Sequence, residues 1–123
     1  CGLIHCGWRG VKYNIHMNAL KNFINKNSKL DNIKIYLGPS IQSCCYQIKE
    51  DIVDYFNKDS ISNINEKIYL NLFREISFDL LNAGLDKKNI HLSDICTYEN
   101  SKCYSYRKNG ASNNRMYSMI IKL

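Results

Sequence analysis

Apolar side chains recur along this chain in two rhythms. From Val11 onward they fall at Ile15, Ala19, Leu20, Phe23 and Ile24, the spacing of a helix with one buried face, until the polar run Asn25 to Lys29 ends it. Ahead of that helix, Leu3 to Cys6 reads as a strand end. Gly7-Trp8-Arg9-Gly10 reads as a tight turn whose glycines permit positive φ and close backbone approach. Ile33 to Leu37 alternates apolar and polar positions and carries β-branched and aromatic side chains; Gly38-Pro39-Ser40 breaks it, so a second strand ends in a loop.

Further along, Ile48, Ile52, Val53 and Phe56 predict about two turns of amphipathic helix, followed by a polar connection from Asn57 to Asn65. A longer helix is predicted from Glu66 to Ala83. Tyr69, Leu72, Phe73, Ile76 and Leu80 share one of its faces, Lys67, Arg74 and Asp79 mostly face away, and Gly84 stands as a left-handed terminator. Ile90 to Leu92 forms a short strand, Cys96 to Asn114 a polar and aromatic stretch, and Met116 to Leu123 a closing strand. Strands alternating with helices predict an α/β (α+β) fold, a mixed β-sheet layered with helices, whose strand ends deliver loops to a common edge.

Composition narrows the class. At 123 residues, 45% apolar and 23% charged, the chain suits one hydrophobic core and excludes collagen-like, disordered and multidomain readings. No stretch approaches the roughly 18 apolar residues of a membrane span, so a soluble, cytoplasmic protein without a membrane partner is expected. The first residue is Cys1 rather than Met, which reads as a piece of a longer protein. The abundance of Asn, Ile and Lys reflects AT-rich coding more than function. A net charge of +6 comes largely from single lysines such as Lys12, Lys21, Lys34, Lys49 and Lys67, a solvated surface rather than the basic stripe of a nucleic-acid binder. Six cysteines, at 1, 6, 44, 45, 96 and 103, are expected as reduced thiols, and no paired C-x-x-C spacing announces a zinc finger.

Candidate chemistry gathers at the breaks between elements. His5, Cys6 and Arg9 crowd one strand-to-turn junction; His5 and Cys6 point to opposite faces of a regular strand, so His5 is the better metal ligand, or else a structural histidine. Arg9 offers a bidentate fork to phosphate or carboxylate, or is a surface arginine beside a buried Trp8. Gly38-Pro39-Ser40-Ile41 cradles an anion or is a plain turn. Cys44-Cys45-Tyr46, ahead of the short helix, reads either as a nucleophile served by His5 or His91 or as buried structural cysteine. No carboxylate is placed to orient His16 or His91, which are assigned to surface or packing roles. Tyr104-Ser105-Tyr106-Arg107 supplies rings that stack on a base and a guanidinium for phosphate, or a half-buried strand.

Taken in order, His5-Cys6-Gly7-Trp8-Arg9-Gly10, Gly38-Pro39-Ser40-Ile41 with Cys44-Cys45-Tyr46, Cys96-Thr97 and Tyr104-Ser105-Tyr106-Arg107 resemble the laccase-domain family. That family is also called multicopper polyphenol oxidase, peptidoglycan editing factor or purine nucleoside phosphorylase of the YfiH/YlmD type. The likeness covers essentially the whole chain, and the Gly-Trp-Arg-Gly turn after His5 is its most specific element. It implies a YfiH-like mixed-sheet fold and one metal, usually zinc, held by two His and one Cys. His5 matches the last of these ligands. The other two lie upstream in the family, in Gln-Val-His-Gly and Asp-Cys-Pro segments that do not occur here, and the cysteines present are not expected to replace them. Residues 1–123 then correspond to the C-terminal part of a single domain. Cys6 stands where Ala is common, and Asn114 precedes Arg115 where Gly is usual.

The activity implied by the resemblance is phosphorolysis of purine nucleosides such as adenosine, inosine, guanosine and methylthioadenosine, with adenosine deamination beside it. In that reading Arg9 and Arg107 hold phosphate, Gly38 and Ser40 line the anion, Tyr104 or Tyr106 stacks on the base, and His5 binds the metal. Weak or absent activity is expected of these 123 residues alone. Purine nucleoside and phosphate are the expected partners, nucleic acid and membrane are not, and the oligomeric state stays open. Copper-dependent phenol oxidation is the alternative chemistry, and a non-catalytic basic binding module or inactive fragment the alternative class.

Overall fold

The computed structural model describes residues 1–121. The first helical rhythm is split in two: α1 spans Trp8–Lys12 and α2 spans Ile15–Asn25, with Asn14 at φ 58° turning the chain between them. Gly7 caps α1 at φ −77° and Gly10 lies inside it, so neither glycine is there for a left-handed backbone. Their value is size. A Cβ on Gly7 would stand 3.1 Å from His5 Nε2, and one on Gly10 would stand 3.0 Å from Ile15 Cγ2. The expected strand at Leu3 to Cys6 does not form, because no described segment pairs with it; Leu3 and Ile4 lie exposed.

Two small sheets carry the rest. β1 (Ile35–Leu37) and β5 (Ile90–Leu92), both expected from their alternation, pair in parallel with Ile35 opposite Ile90 and Leu37 opposite Leu92. β2 (Gln47–Ile48), β3 (Ile61–Ile64) and β4 (Lys67–Leu70) form an antiparallel sheet in the order β2-β4-β3. This corrects the polar connection and the long helix: residues 61–70 are a hairpin. Asn65 and Glu66 both take positive φ, the geometry of a two-residue hairpin turn, without the glycine that usually announces one. The helix begins only at Leu72, where the Asn71 side chain accepts the Arg74 N–H at 2.9 Å, and α3 runs Leu72–Asn82. Gly84 follows at φ 89°, as expected. The two-turn helix around Ile52 is instead a 3-10 stretch, Glu50–Tyr55, between extended Lys49 and Phe56 and without a side-chain cap.

α2 and α3 pack over the sheets, and Leu70, Ile76 and Leu80 are at most 2% exposed at the centre. Fully burying each such side chain contributes about 1.5–3 kcal/mol. Two acidic residues of α3 face inward rather than away. Asp79 Oδ2 lies 2.8 Å from Nε2 of the buried His16, and Glu75 accepts the Asn57 N–H at 3.0 Å. His16 therefore has an orienting carboxylate, from a partner too distant in sequence for spacing to reveal. The expected closing strand is absent over 116–121, where Tyr117 and Met119 are almost wholly exposed; its last residues, Lys122 and Leu123, lie outside the described residues. Among the described residues no helix is long and apolar enough to cross a membrane.

Candidate functional site

Parallel pairing of β1 with β5 sends both strands out of the same edge, where the loops that follow them meet. Ser40 bridges Cys96 in parallel, and the Thr97 N–H donates to the Ser40 carbonyl at 2.9 Å, which ties the two loops together beyond the strands. The first loop turns at Gln42, whose carbonyl accepts the N–H groups of Cys45 and Tyr46, and then enters β2. The second continues to a single helical turn, α4 (Tyr106–Asn109). Its approach is fixed by Lys108, whose ammonium donates to the carbonyls of Asn100, Cys103 and Thr97 at 2.9, 3.2 and 3.3 Å.

The helix α4 thereby presents Arg107 to a cleft of about 530 Å³ that Arg9 also lines, together with Trp8, Tyr46, Lys49 and Asp51. Two arginines nearly a chain length apart thus face one space. The Arg9 guanidinium lies 5.1 Å from the Trp8 ring centre and the Arg107 guanidinium 5.7 Å from that of Tyr46. Arg107 spends one N–H on the Gln47 carbonyl at 2.7 Å. Among the described residues neither arginine is in an ion pair, so most of their fixed donor forks remain for an anion. Burial pushes the Tyr46 hydroxyl up, partly offset by Arg107, which keeps it a neutral donor. Trp8 and Tyr46 stand in the motifs read from the sequence but were given no site role there, and Lys49 was read as solvated surface. Tyr46 could have been found from its place two residues before a buried Ile48.

The remaining expected residues fall outside this cleft. Gly38 has open space around it, and the Ser40 hydroxyl donates weakly to the Ile41 carbonyl at 3.4 Å. Tyr104 donates its hydroxyl to the Gly110 carbonyl at 2.7 Å, and Tyr106 projects from α4 at 73% exposure. His5 is exposed and folds over Gly7; among the described residues no set of Cys, His, Asp or Glu ligands forms around it. One imidazole cannot hold a catalytic zinc, so the residues present do not complete the site that the resemblance implied. His91 stacks on Tyr36 at 4.5 Å, a packing role as expected.

A different set of ligand atoms converges where the two loops touch. Cys44, Cys45, Cys96 and Glu99 bring three sulfurs and a carboxylate oxygen within 4.8 Å of one another. All three thiols are free. Desolvation, then hydrogen bonds to Cys45 and Cys96, push the Cys44 thiol up to about 12, and desolvation raises Cys45 as well. Burial also acts to raise Cys96, yet N–H groups of Gln42, Glu99 and Tyr98 and the Cys44 thiol pull it below the ordinary thiol value. Among the described residues no histidine bonds to these sulfurs, and a turn and β2 rather than a helix follow Cys44 and Cys45. The nucleophile reading of Cys44-Cys45-Tyr46 thus loses both its base and its helix terminus.

Known proteins resemble this chain in sequence and in fold. The chain is 36% identical over 115 residues to a purine nucleoside phosphorylase of Borreliella burgdorferi, covering 87% of this chain and 49% of that protein. It is 30% identical over 131 residues to one of Clostridium acetobutylicum, covering 97% and 52%. A protein from an unknown prokaryote named adenosine deaminase RL5 is 26% identical over 128 residues, covering 96% and 48%. The chain thus spans about half the length of the curated relatives it matches. Among solved structures, YfiH of Bacillus licheniformis superposes with a TM-score of 0.73 at 24% identity, and YlmD of Geobacillus stearothermophilus with 0.71 at 26%, each over 83% of this chain and 42% of the other. Residues 1–122 match the family described as multi-copper polyphenol oxidoreductase laccase, and to that family the chain belongs.

Proposed function

We propose that this chain supplies the phosphate-binding edge of a purine nucleoside phosphorylase and forms the C-terminal part of its single domain. One observation carries the reading: Arg9 and Arg107, from opposite ends of the chain, line one cleft without carboxylate partners among the described residues. The names of the relatives at 30–36% identity supply the substrate class. Phosphate enters between the two guanidinium forks, and Lys49 adds to the positive field. One phosphate oxygen attacks the anomeric carbon of the nucleoside as the bond to the purine nitrogen breaks; the electron pair leaves with the purine, which takes a proton from water. The arginines hold the anion in line and offset its charge as the ribosyl cation develops. Tyr106, exposed beside Arg107, offers a ring face to the base.

The test is to express the polypeptide from its complete reading frame and incubate it with inosine and phosphate. Hypoxanthine and ribose 1-phosphate are expected, with Arg9→Ala and Arg107→Ala each slowing their release. Absence of hypoxanthine rejects the reading. Conversion of adenosine to inosine without phosphate would favour the deaminase chemistry of the relative that bears that name.

A further inference from the structure

We propose that Cys44, Cys45, Cys96 and Glu99 form a structural binding site for a zinc-class divalent cation that clamps the two loops of the sheet edge together. The argument is geometric and independent of the phosphorolysis reading. A tetrahedral zinc with sulfur ligands at about 2.3 Å spaces two sulfurs about 3.8 Å apart, and a sulfur and a carboxylate oxygen slightly less. Cys44 Sγ lies 3.8 Å from Cys96 Sγ and 3.6 Å from Glu99 Oε2, already at those separations. Cys45 Sγ, at 3.2 Å from Cys44 Sγ and within 4.8 Å of the other two ligand atoms, reaches the fourth corner by a side-chain rotation. Three soft sulfurs with one carboxylate suit zinc, and they exclude magnesium and calcium, which take oxygen ligands.

The surroundings fit bound thiolates. The Gln42 N–H donates to Cys96 Sγ at 3.4 Å, the kind of supporting contact that orients a sulfur toward a metal. On binding, each thiol gives its proton to water. Three thiolates and a carboxylate leave the occupied site with two net negative charges, and the Lys108 ammonium is held on the carbonyls of Thr97 and Asn100, the residues that follow Cys96 and Glu99 in the chain. The consequence reaches the cleft. Tyr46 follows Cys45 directly, and Arg107 rides on the segment that Lys108 fastens to the Thr97–Cys103 loop, so the cation would set the distance between two cleft walls.

The experiment is titration of the reduced 123-residue chain with Co2+ and then Zn2+. One Co2+ per chain is expected, with thiolate charge-transfer absorption in the near ultraviolet and tetrahedral bands in the visible, both bleached by Zn2+. Zinc should also raise the melting temperature. Cys44→Ser and Glu99→Gln alter exposed side chains and should leave the fold intact; the first should weaken binding by about a hundredfold and the second by about tenfold. Because Cys96 is buried, its serine variant is read only alongside these two. His5→Ala should bind as the unaltered chain does. A featureless cobalt spectrum, unchanged affinity in Cys44→Ser, or loss of binding in His5→Ala would each overturn the proposal.

Discussion

The helical layer and the loop edge of this molecule are held by different chemistry. Where α2 and α3 meet the core, Leu20, Leu70, Ile76 and Leu80 are at most 4% exposed, and the contact of His16 with Asp79 joins the two helices over that packed interior. At the edge, apolar burial gives way to directed polar contacts: Lys108 on three carbonyls, Arg107 on the Gln47 carbonyl, and Cys44, Cys45, Cys96 and Glu99 gathered in a knot. Burial tolerates exchange among side chains of similar volume, whereas the edge depends on donors at fixed positions. Apolar packing and the proposed phosphate cleft are thus spatially separated, and substitutions in the two regions should have separable effects.

The sharpest way to break that contrast is Leu80→Ala. Removing a side chain with no exposed surface is expected to cost about 2–5 kcal/mol, read as a lowered urea midpoint with an unchanged slope. Arg107→Ala should do the opposite. It is expected to move stability by less than about 0.5 kcal/mol while slowing phosphorolysis by the complete polypeptide about a hundredfold, measured as hypoxanthine release at saturating inosine. A third comparison probes the edge alone: Lys108→Met strands the Thr97, Asn100 and Cys103 carbonyls, so amides of that loop should lose about tenfold of their hydrogen-exchange protection while those of α3 do not change.

The smallest effect concerns pH. Burial pushes the Cys6 thiol up to about 11, so the folded chain retains a proton that the unfolded chain gives up near 9. Between those values the folded state binds more protons. Its contribution to stability is therefore complete below pH 9 and lost as the pH rises toward 11. Cys6→Ala should make the alkaline fall in melting temperature shallower over that window.

Local chemistry decided what the sequence revealed. Strands β1 and β5, helix α2 and the stop at Gly84 each advertise themselves through a few neighbouring residues, and all were legible. The hairpin of β3 and β4 was not, because Asn65 and Glu66 carry its positive φ angles without glycine and Ile61, Ile64 and Ile68 equally suit a helix face. Leu3 to Cys6 and Met116 to Ile121 have strand composition but no described partner, and strand formation needs one. At the site, Arg9 in its glycine turn and Arg107 in the Tyr104–Arg107 stretch could each be read as candidate anion donors; their meeting in one cleft could not, since it depends on Lys108 docking α4. The convergence of Cys44, Cys45 and Cys96 escaped for the same reason: it follows from parallel strand pairing, which leaves no trace in spacing.

That parallel pair also governs the order in which the molecule is built. Pairing Ile35 with Ile90 closes a long loop, and its entropic cost falls once the hairpin, α3 and the turn at Gly84 have shortened the chain between them. The ribosome must release the chain through Arg107 before the cleft can exist. Synthesis stopped before Arg107 leaves Arg9 without its counterpart across the cleft.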